Sequence, residues 1–127
     1  MKTILVDAVN TLVIKEVGVF VAMQKMLDEF PNPKIILTNA SEEEKKNYAL
    51  IDMPYELFSL AHNPDKTDPM YYKTFLERFE LSTEDVIYFE HNEEAVKSAQ
   101  SVGITTYHYD KDKKDLDSLK AFLEENL

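Results

Sequence analysis

The chain has 127 residues, 44% of them hydrophobic, with no cysteine and a net charge of -10 from 14 basic and 24 acidic side chains. That length suits one domain spanning 1–127, able to bury roughly two thirds of the surface its unfolded form exposes. An acidic balance repels nucleic acid and anionic membrane, and the lack of cysteine removes disulfides, thiolate metal sites and thiol nucleophiles.

The N-terminus carries one Lys and then an apolar run too short to span a bilayer, with no small-residue cleavage signal, so a soluble, cytoplasmic protein is expected. Thr3 to Val6 reads as a buried strand that delivers Asp7 to its carboxyl end and breaks at Asn10-Thr11. From about Val17 to Phe30, Phe20, Met23, Leu27 and Phe30 recur at helical spacing, with Val19 and Met26 widening the stripe. Pro31 and Pro33 end that helix, and Lys34 to Leu37 forms a second strand closing on Thr38 and Asn39.

Ser41 and Glu44 make a capping box that opens a polar, exposed helix toward Leu50. Leu57 to Leu60 is a short third strand, and a polar loop from Ala61 carries Lys66 to Asp68-Pro69, an N-cap and first turn. Tyr72, Phe75, Leu76 and Phe79 stripe the helix that follows. Val86 to Phe89 is a fourth strand ending on Glu90-His91-Asn92. A small-residue helix face (Ala95, Val96, Ala99, Val102) then stops at Gly103, Ile104 to Tyr109 makes a fifth strand, and Leu116, Leu119 and Leu123 mark a closing helix. This alternation predicts an α/β fold: a doubly wound, Rossmann-like, five-stranded parallel sheet with helices on both faces.

In such a sheet Asp7, Thr38, Lys66 and Glu90-His91-Asn92 emerge along one edge, where ligands bind. The chemistry served by this set is attack of a carboxylate on phosphorus, with a hydroxyl and an ammonium on the phosphoryl oxygens and further acids on Mg²⁺. Structural roles compete with it. A strand-end Thr38 serves turns, a loop Lys66 is commonly solvated, and Asn92 caps a helix whose dipole Glu93 and Glu94 complement. No partners are evident for His62 or His108, and Tyr48, Tyr55, Tyr71 and Tyr72 read as core or rim.

From Thr3 to about Tyr109 the pattern resembles the haloacid dehalogenase-like superfamily of aspartate-nucleophile hydrolases. Its D-x-D-G-T-L motif is matched by Asp7-Ala8-Val9-Asn10-Thr11-Leu12, and its strand closed by Thr or Ser by Ile35-Ile36-Leu37-Thr38. Its Lys within K-P-D-P is matched by Lys66-Thr67-Asp68-Pro69, and its acid-ended strand with an alanine-rich helix by Val86 through Gly103. The resemblance implies Asp7 as nucleophile and Thr38, Asn39, Lys66, Asn10 and Thr11 around the phosphate. It implies Asp7 and Glu90 as ligands of a weakly held Mg²⁺, with His91 a doubtful third.

Two departures weaken the implied activity. The family's general acid/base is replaced by Val9, which cannot transfer a proton, at a cost of typically 10²- to 10⁴-fold. The metal-binding Asp is replaced at Glu90-His91, where imidazole suits a transition metal better than Mg²⁺. Asn10 in place of Gly still tolerates positive φ. The intervals between motifs leave no room for a cap domain, a trait of relatives with open sites that act on larger substrates or borrow a neighbouring subunit as lid.

The expectation is a capless hydrolase scaffold for phosphoesters, weak or inactive, acting on a phosphorylated small molecule or protein and compatible with a homo-oligomer. A non-catalytic phosphate-binding or regulatory module is the alternative. A metal-independent dehalogenase ranks lower because the single Arg, Arg78, lies on a helix flank. A two-component receiver is disfavoured because the acid closes the first strand rather than the third.

Overall fold

The computed structural model describes residues 1–127. In chain order its strands are β1 (Thr3–Asp7), β2 (Val13–Ile14), β3 (Gly18–Val19), β4 (Lys34–Thr38), β5 (Glu56–Ser59), β6 (Val86–Glu90) and β7 (Thr105–His108). The helices are α1 (Val21–Asp28), α2 (Glu42–Asn47), α3 (Pro69–Arg78), α4 (Glu93–Val102) and α5 (Leu116–Asn126). Five strands form one parallel sheet in the order β5-β4-β1-β6-β7, with β1 at its centre and buried at every position. The chain winds outward from β1 through β4 to β5, then crosses back to β6 and β7. That reversal beside β1 opens a crevice at the carboxyl ends of the strands.

Strand parity sorts the core into two layers. Ile4 and Val6 of β1, with Ile36, Ile87 and Phe89, pack on Met23 and Leu27 of α1 and on Leu119 and Leu123 of α5. Leu5, with Ile35, Leu37 and Tyr88, packs on Tyr71, Tyr72 and Phe75 of α3 and on Ala99 of α4. Asp7 follows Leu5 by two and Glu90 follows Tyr88 by two, so both acids fall on the α3/α4 side. The register pairs Val6 with Phe89, which sets Asp7 and Glu90 one step further along neighbouring strands.

The helix ends follow the local chemistry. Asp68 accepts the Met70 N–H at 2.9 Å with Pro69 in the first turn, so α3 starts immediately after the loop that carries Lys66. Both bonds of the Ser41/Glu44 capping box form, at 3.1 and 3.2 Å, and α2 buries none of its residues. Asn92 caps α4 through the Ala95 N–H at 3.1 Å, and Gly103 closes it at φ +104°.

One expected element is corrected. The helix read over 17–30 begins only at Val21, because Val17 to Val19 belong to a hairpin in which Val13 pairs with Val19 and Ile14 with Gly18. Gly18 at φ +111° and Glu16 at φ +66° turn the chain before a helix can start. The helical spacing of Phe20 with Met23 and Leu27 was real, but Phe20 is the cap of α1 and not part of its stripe. The chain between Asp7 and Lys34 is thus filled by a hairpin and one helix, and the fold carries no cap domain.

Candidate functional site

Asp7 and Glu90 are carboxylates 1% and 0% exposed on adjacent strands, an arrangement that repulsion and lost hydration would make unstable by itself. Lys66 resolves it. Its Nζ donates to Asp7 Oδ1 at 2.7 Å and to Glu90 Oε1 at 2.6 Å, and reaches the Leu37 carbonyl at 3.3 Å. The loop is placed for this by Asn39, whose Oδ1 accepts the Lys66 backbone N–H at 2.7 Å.

The outer oxygens are also taken. Asp7 Oδ2 accepts from Thr11 Oγ1 at 2.6 Å, from the His91 backbone N–H at 3.2 Å and from His91 Nδ1. Glu90 Oε2 accepts the Asn92 N–H at 3.0 Å and faces His91 Nδ1 at 3.2 Å, while Tyr88 donates its hydroxyl to Glu90 Oε1. Two acids and two bases therefore close on one another.

The ionisation of the set follows from these contacts. Burial pushes the Asp7 carboxyl up, but Lys66 and the His91 ring outweigh it and hold Asp7 well below the usual carboxylate range. Burial opposes the charge on Lys66, yet Asp7 and Glu90 carry its pKa well above the ordinary value. His91 is pushed up to about 9 because its bonds to Asp7 and Glu90 exceed the cost of its partial burial. Near neutral pH Asp7 is thus a carboxylate held by an ammonium and an imidazolium.

Above this floor lies an open cleft of about 220 Å³, lined among others by Asp7, Val9, Asn10, Thr38, Asn39 and Lys66. Its volume is that of about seven waters, enough for a phosphoryl group and the first atoms of an ester rather than a drug-sized ligand. Lys15 and Tyr48 stand at the rim, the ammonium 5.8 Å from the ring centroid. His62, also at the rim, bridges Glu44 at 2.7 Å and Asp65 at 2.8 Å, tying α2 to the loop before α3.

Solved structures share this parallel sheet and its helices. An enzyme of the haloacid dehalogenase family from Bacteroides thetaiotaomicron, an aspartate-to-alanine mutant in complex with magnesium and inorganic phosphate, superposes with a TM-score of 0.62 at 14% identity, over 85% of this chain and 93% of that one. The chain has the haloacid dehalogenase-like fold. The core domain of a protein assigned as a phosphoglycolate phosphatase from Streptococcus pneumoniae matches at TM-score 0.63 and 14% identity, over 98% and 96% of the two chains. A haloacid dehalogenase-like protein from Agrobacterium tumefaciens matches at TM-score 0.54 and 17% identity, with 80% of this chain covering 59% of that longer one. No protein-family model matches the sequence, and no curated protein is matched.

Within the haloacid dehalogenase-like fold, Asp7, Asn10, Thr38, Asn39, Lys66, Glu90 and His91 all border the cleft. Asn10 adopts φ +71°, the left-handed turn that asparagine tolerates. Thr11 does not border it: 1% exposed, it sits behind Asp7 and orients the carboxylate. Thr38 Oγ1 accepts the Ala40 N–H at 3.2 Å, which leaves its own proton for a ligand.

Four participants escaped sequence reasoning. Tyr88 shares the face of Glu90 by two-residue parity, a signal present in the strand pattern. Tyr71, read as core or rim, is core and holds the strand ends, donating to the Thr38 carbonyl at 2.8 Å. His62 and His108 do have partners, His108 Nε2 bonding the His91 carbonyl at 2.9 Å across more than a dozen positions, a pairing no local pattern reveals.

Magnesium, which the fold implies, meets an unsuitable donor set. Asp7, Glu90 and His91 each place one ligand atom within 4.8 Å of the others. The ligands of an octahedral ion at about 2.1 Å stand about 3 Å apart, each with a lone pair aimed inward. Here His91 Nδ1 is hydrogen-bonded directly to Asp7 Oδ2, and the inner oxygens are on Lys66. As arranged, these residues do not fit a divalent cation.

No helix is long and apolar enough to cross a membrane.

Proposed function

We propose that this protein handles a phosphoester on a haloacid dehalogenase-like scaffold, binding the phosphoryl group over Asp7 and hydrolysing it weakly or not at all. The reading is carried by one observation. The Asp7 carboxylate borders the cleft but has both oxygens committed to Lys66, Thr11 and His91, and the side chain two residues on is the aliphatic Val9. A nucleophile so fully hydrogen-bonded has little electron density free for phosphorus, and its neighbour cannot protonate a leaving oxygen.

The binding half of the reading draws on Thr38, Asn39, Asn10 and Lys66 around the cleft. An oxyanion there meets the Thr38 hydroxyl, the Asn39 and Asn10 amides and the positive side of the cluster. Mg²⁺ enters no step of this reading, because the oxygens of Asp7 and Glu90 are held by Lys66 and His91. A phosphorylated small molecule fits the cleft volume, and an open, capless rim also admits a phosphorylated side chain of a protein. The acidic surface argues against nucleic acid.

Phosphate release from p-nitrophenyl phosphate and from an alkyl phosphate, comparing wild type with Asp7→Asn, tests turnover. Calorimetric titration with inorganic phosphate, comparing wild type with Thr38→Val, tests binding. A slow activity lost in Asp7→Asn supports hydrolysis. Equal background in both with phosphate binding weakened in Thr38→Val supports a binding module. No activity and no binding would overturn the proposal.

A further inference from the structure

We infer that the His91 ring is the built-in occupant of the space between Asp7 and Glu90, its Nδ1–H standing among their outer oxygens and closing the pair to divalent ions. The inference does not depend on whether the cleft takes a phosphoryl group.

The contacts of a single atom carry it. His91 Nδ1 faces Asp7 Oδ2 in a direct hydrogen bond, Glu90 Oε2 at 3.2 Å and Thr11 Oγ1 at 3.4 Å. The hydroxyl proton of Thr11 is already given to Asp7 at 2.6 Å, so Thr11 turns a lone pair toward the ring. All three neighbours of Nδ1 are therefore acceptors, and the nitrogen among them must be an N–H. A protonated Nδ1 has no lone pair for a metal, and its proton occupies the space between the outer oxygens of the two acids.

The inner oxygens are equally closed, by Lys66 Nζ at 2.7 and 2.6 Å. A divalent ion between Asp7 and Glu90 would have to evict the His91 ring, whose backbone is held at both ends. The His91 N–H is bound to Asp7 at 3.2 Å and its carbonyl to His108 at 2.9 Å.

The test reads the metal directly. Calorimetric titration of the full chain with Mg²⁺ is expected to show no saturable binding in wild type. His91→Asp, which removes the occupant and restores a third carboxylate, should bind Mg²⁺ at least about tenfold more tightly, since one unit charge near 4 Å is worth several kcal/mol at a protein-like dielectric. Wild type that binds Mg²⁺ as tightly as His91→Asp would overturn the inference.

His91→Asp places three acids together and risks misfolding, so wild type alone supplies a second readout. Titration of ¹⁵N-labelled protein with Mn²⁺ should leave the amide signals of Asp7, Glu90 and His91 unbroadened until surface carboxylates broaden as well. Selective early broadening of those three signals would show an ion in the cluster and overturn the inference.

Discussion

Lys66 Nζ stands 2.6 Å from Glu90 Oε1 with both side chains below a tenth exposed, so the lysine that lines the cleft is also the strut that makes two adjacent buried acids tolerable. Binding and stability are thereby joined in one side chain. A binding defect in a Lys66 variant is interpretable only beside its unfolding free energy.

Lys66→Met should lower that free energy by about 3–5 kcal/mol, the usual consequence of stranding the partners of a buried ion pair. Denaturant unfolding followed by circular dichroism measures it. A loss under about 1 kcal/mol, the scale of an exposed pair, would mean that the cluster is solvated rather than buried.

Tyr88 and Tyr72 offer a matched pair. Tyr88 donates to Glu90 Oε1, the oxygen that also accepts from the Lys66 ammonium, and Tyr72 donates to the neutral Ala95 carbonyl at 3.3 Å. Hydrogen bonds to charged groups are worth about 1.5–3 kcal/mol and neutral ones about 0.5–1.5, so Tyr88→Phe should cost more than Tyr72→Phe in the same denaturation experiment. The reverse order would show that Glu90 does not depend on the phenol.

Val9→Asp returns a carboxyl group to the cleft within reach of a leaving oxygen. Hydrolysis should rise by up to about 10²-fold, and by more for an alkyl phosphate than for p-nitrophenyl phosphate, whose leaving group needs little protonation. Equal gains on both substrates would point to altered binding instead of proton transfer.

The rim histidine introduces a pH dependence. Hydrogen bonds to Asp65 and Glu44 raise the pKa of His62 above its ordinary 6.5. The stabilisation from a raised pKa is complete below 6.5, where both the folded and unfolded states are protonated, and is lost as pH rises through the folded value. His62 is 48% exposed, so its contribution is discounted to under about 1 kcal/mol. The melting temperature of His62→Gln should fall below that of wild type at about pH 6 and converge with it by about pH 9. A gap that widens with pH would reverse the assignment.

Much of this was legible from local pattern. The five strands, the caps at Ser41, Asp68 and Asn92, the stop at Gly103 and the convergence of Asp7, Thr38, Lys66 and Glu90 on one sheet edge follow from periodicity, capping chemistry and parallel winding. These are signals carried by residues close in sequence, which is why they survive without coordinates. Even the failed stretch, Val17 to Val19, failed locally: a hairpin of two-residue strands is too short for its alternation to outweigh the helical spacing that starts at Phe20.

The sequence by itself determined the scaffold and the two positions, Val9 and His91, at which it departs from the motifs it resembles. It left open what His91 does, because a side chain takes the rotamer its neighbours stabilise, and the neighbours here are Asp7, 84 positions away, and Thr11, 80 positions away. Only the tertiary structure brought those acceptors around one nitrogen and two cations around two buried acids. Burial of the two acids then selects their partners: Lys66 between the inner oxygens and the His91 ring beside the outer ones.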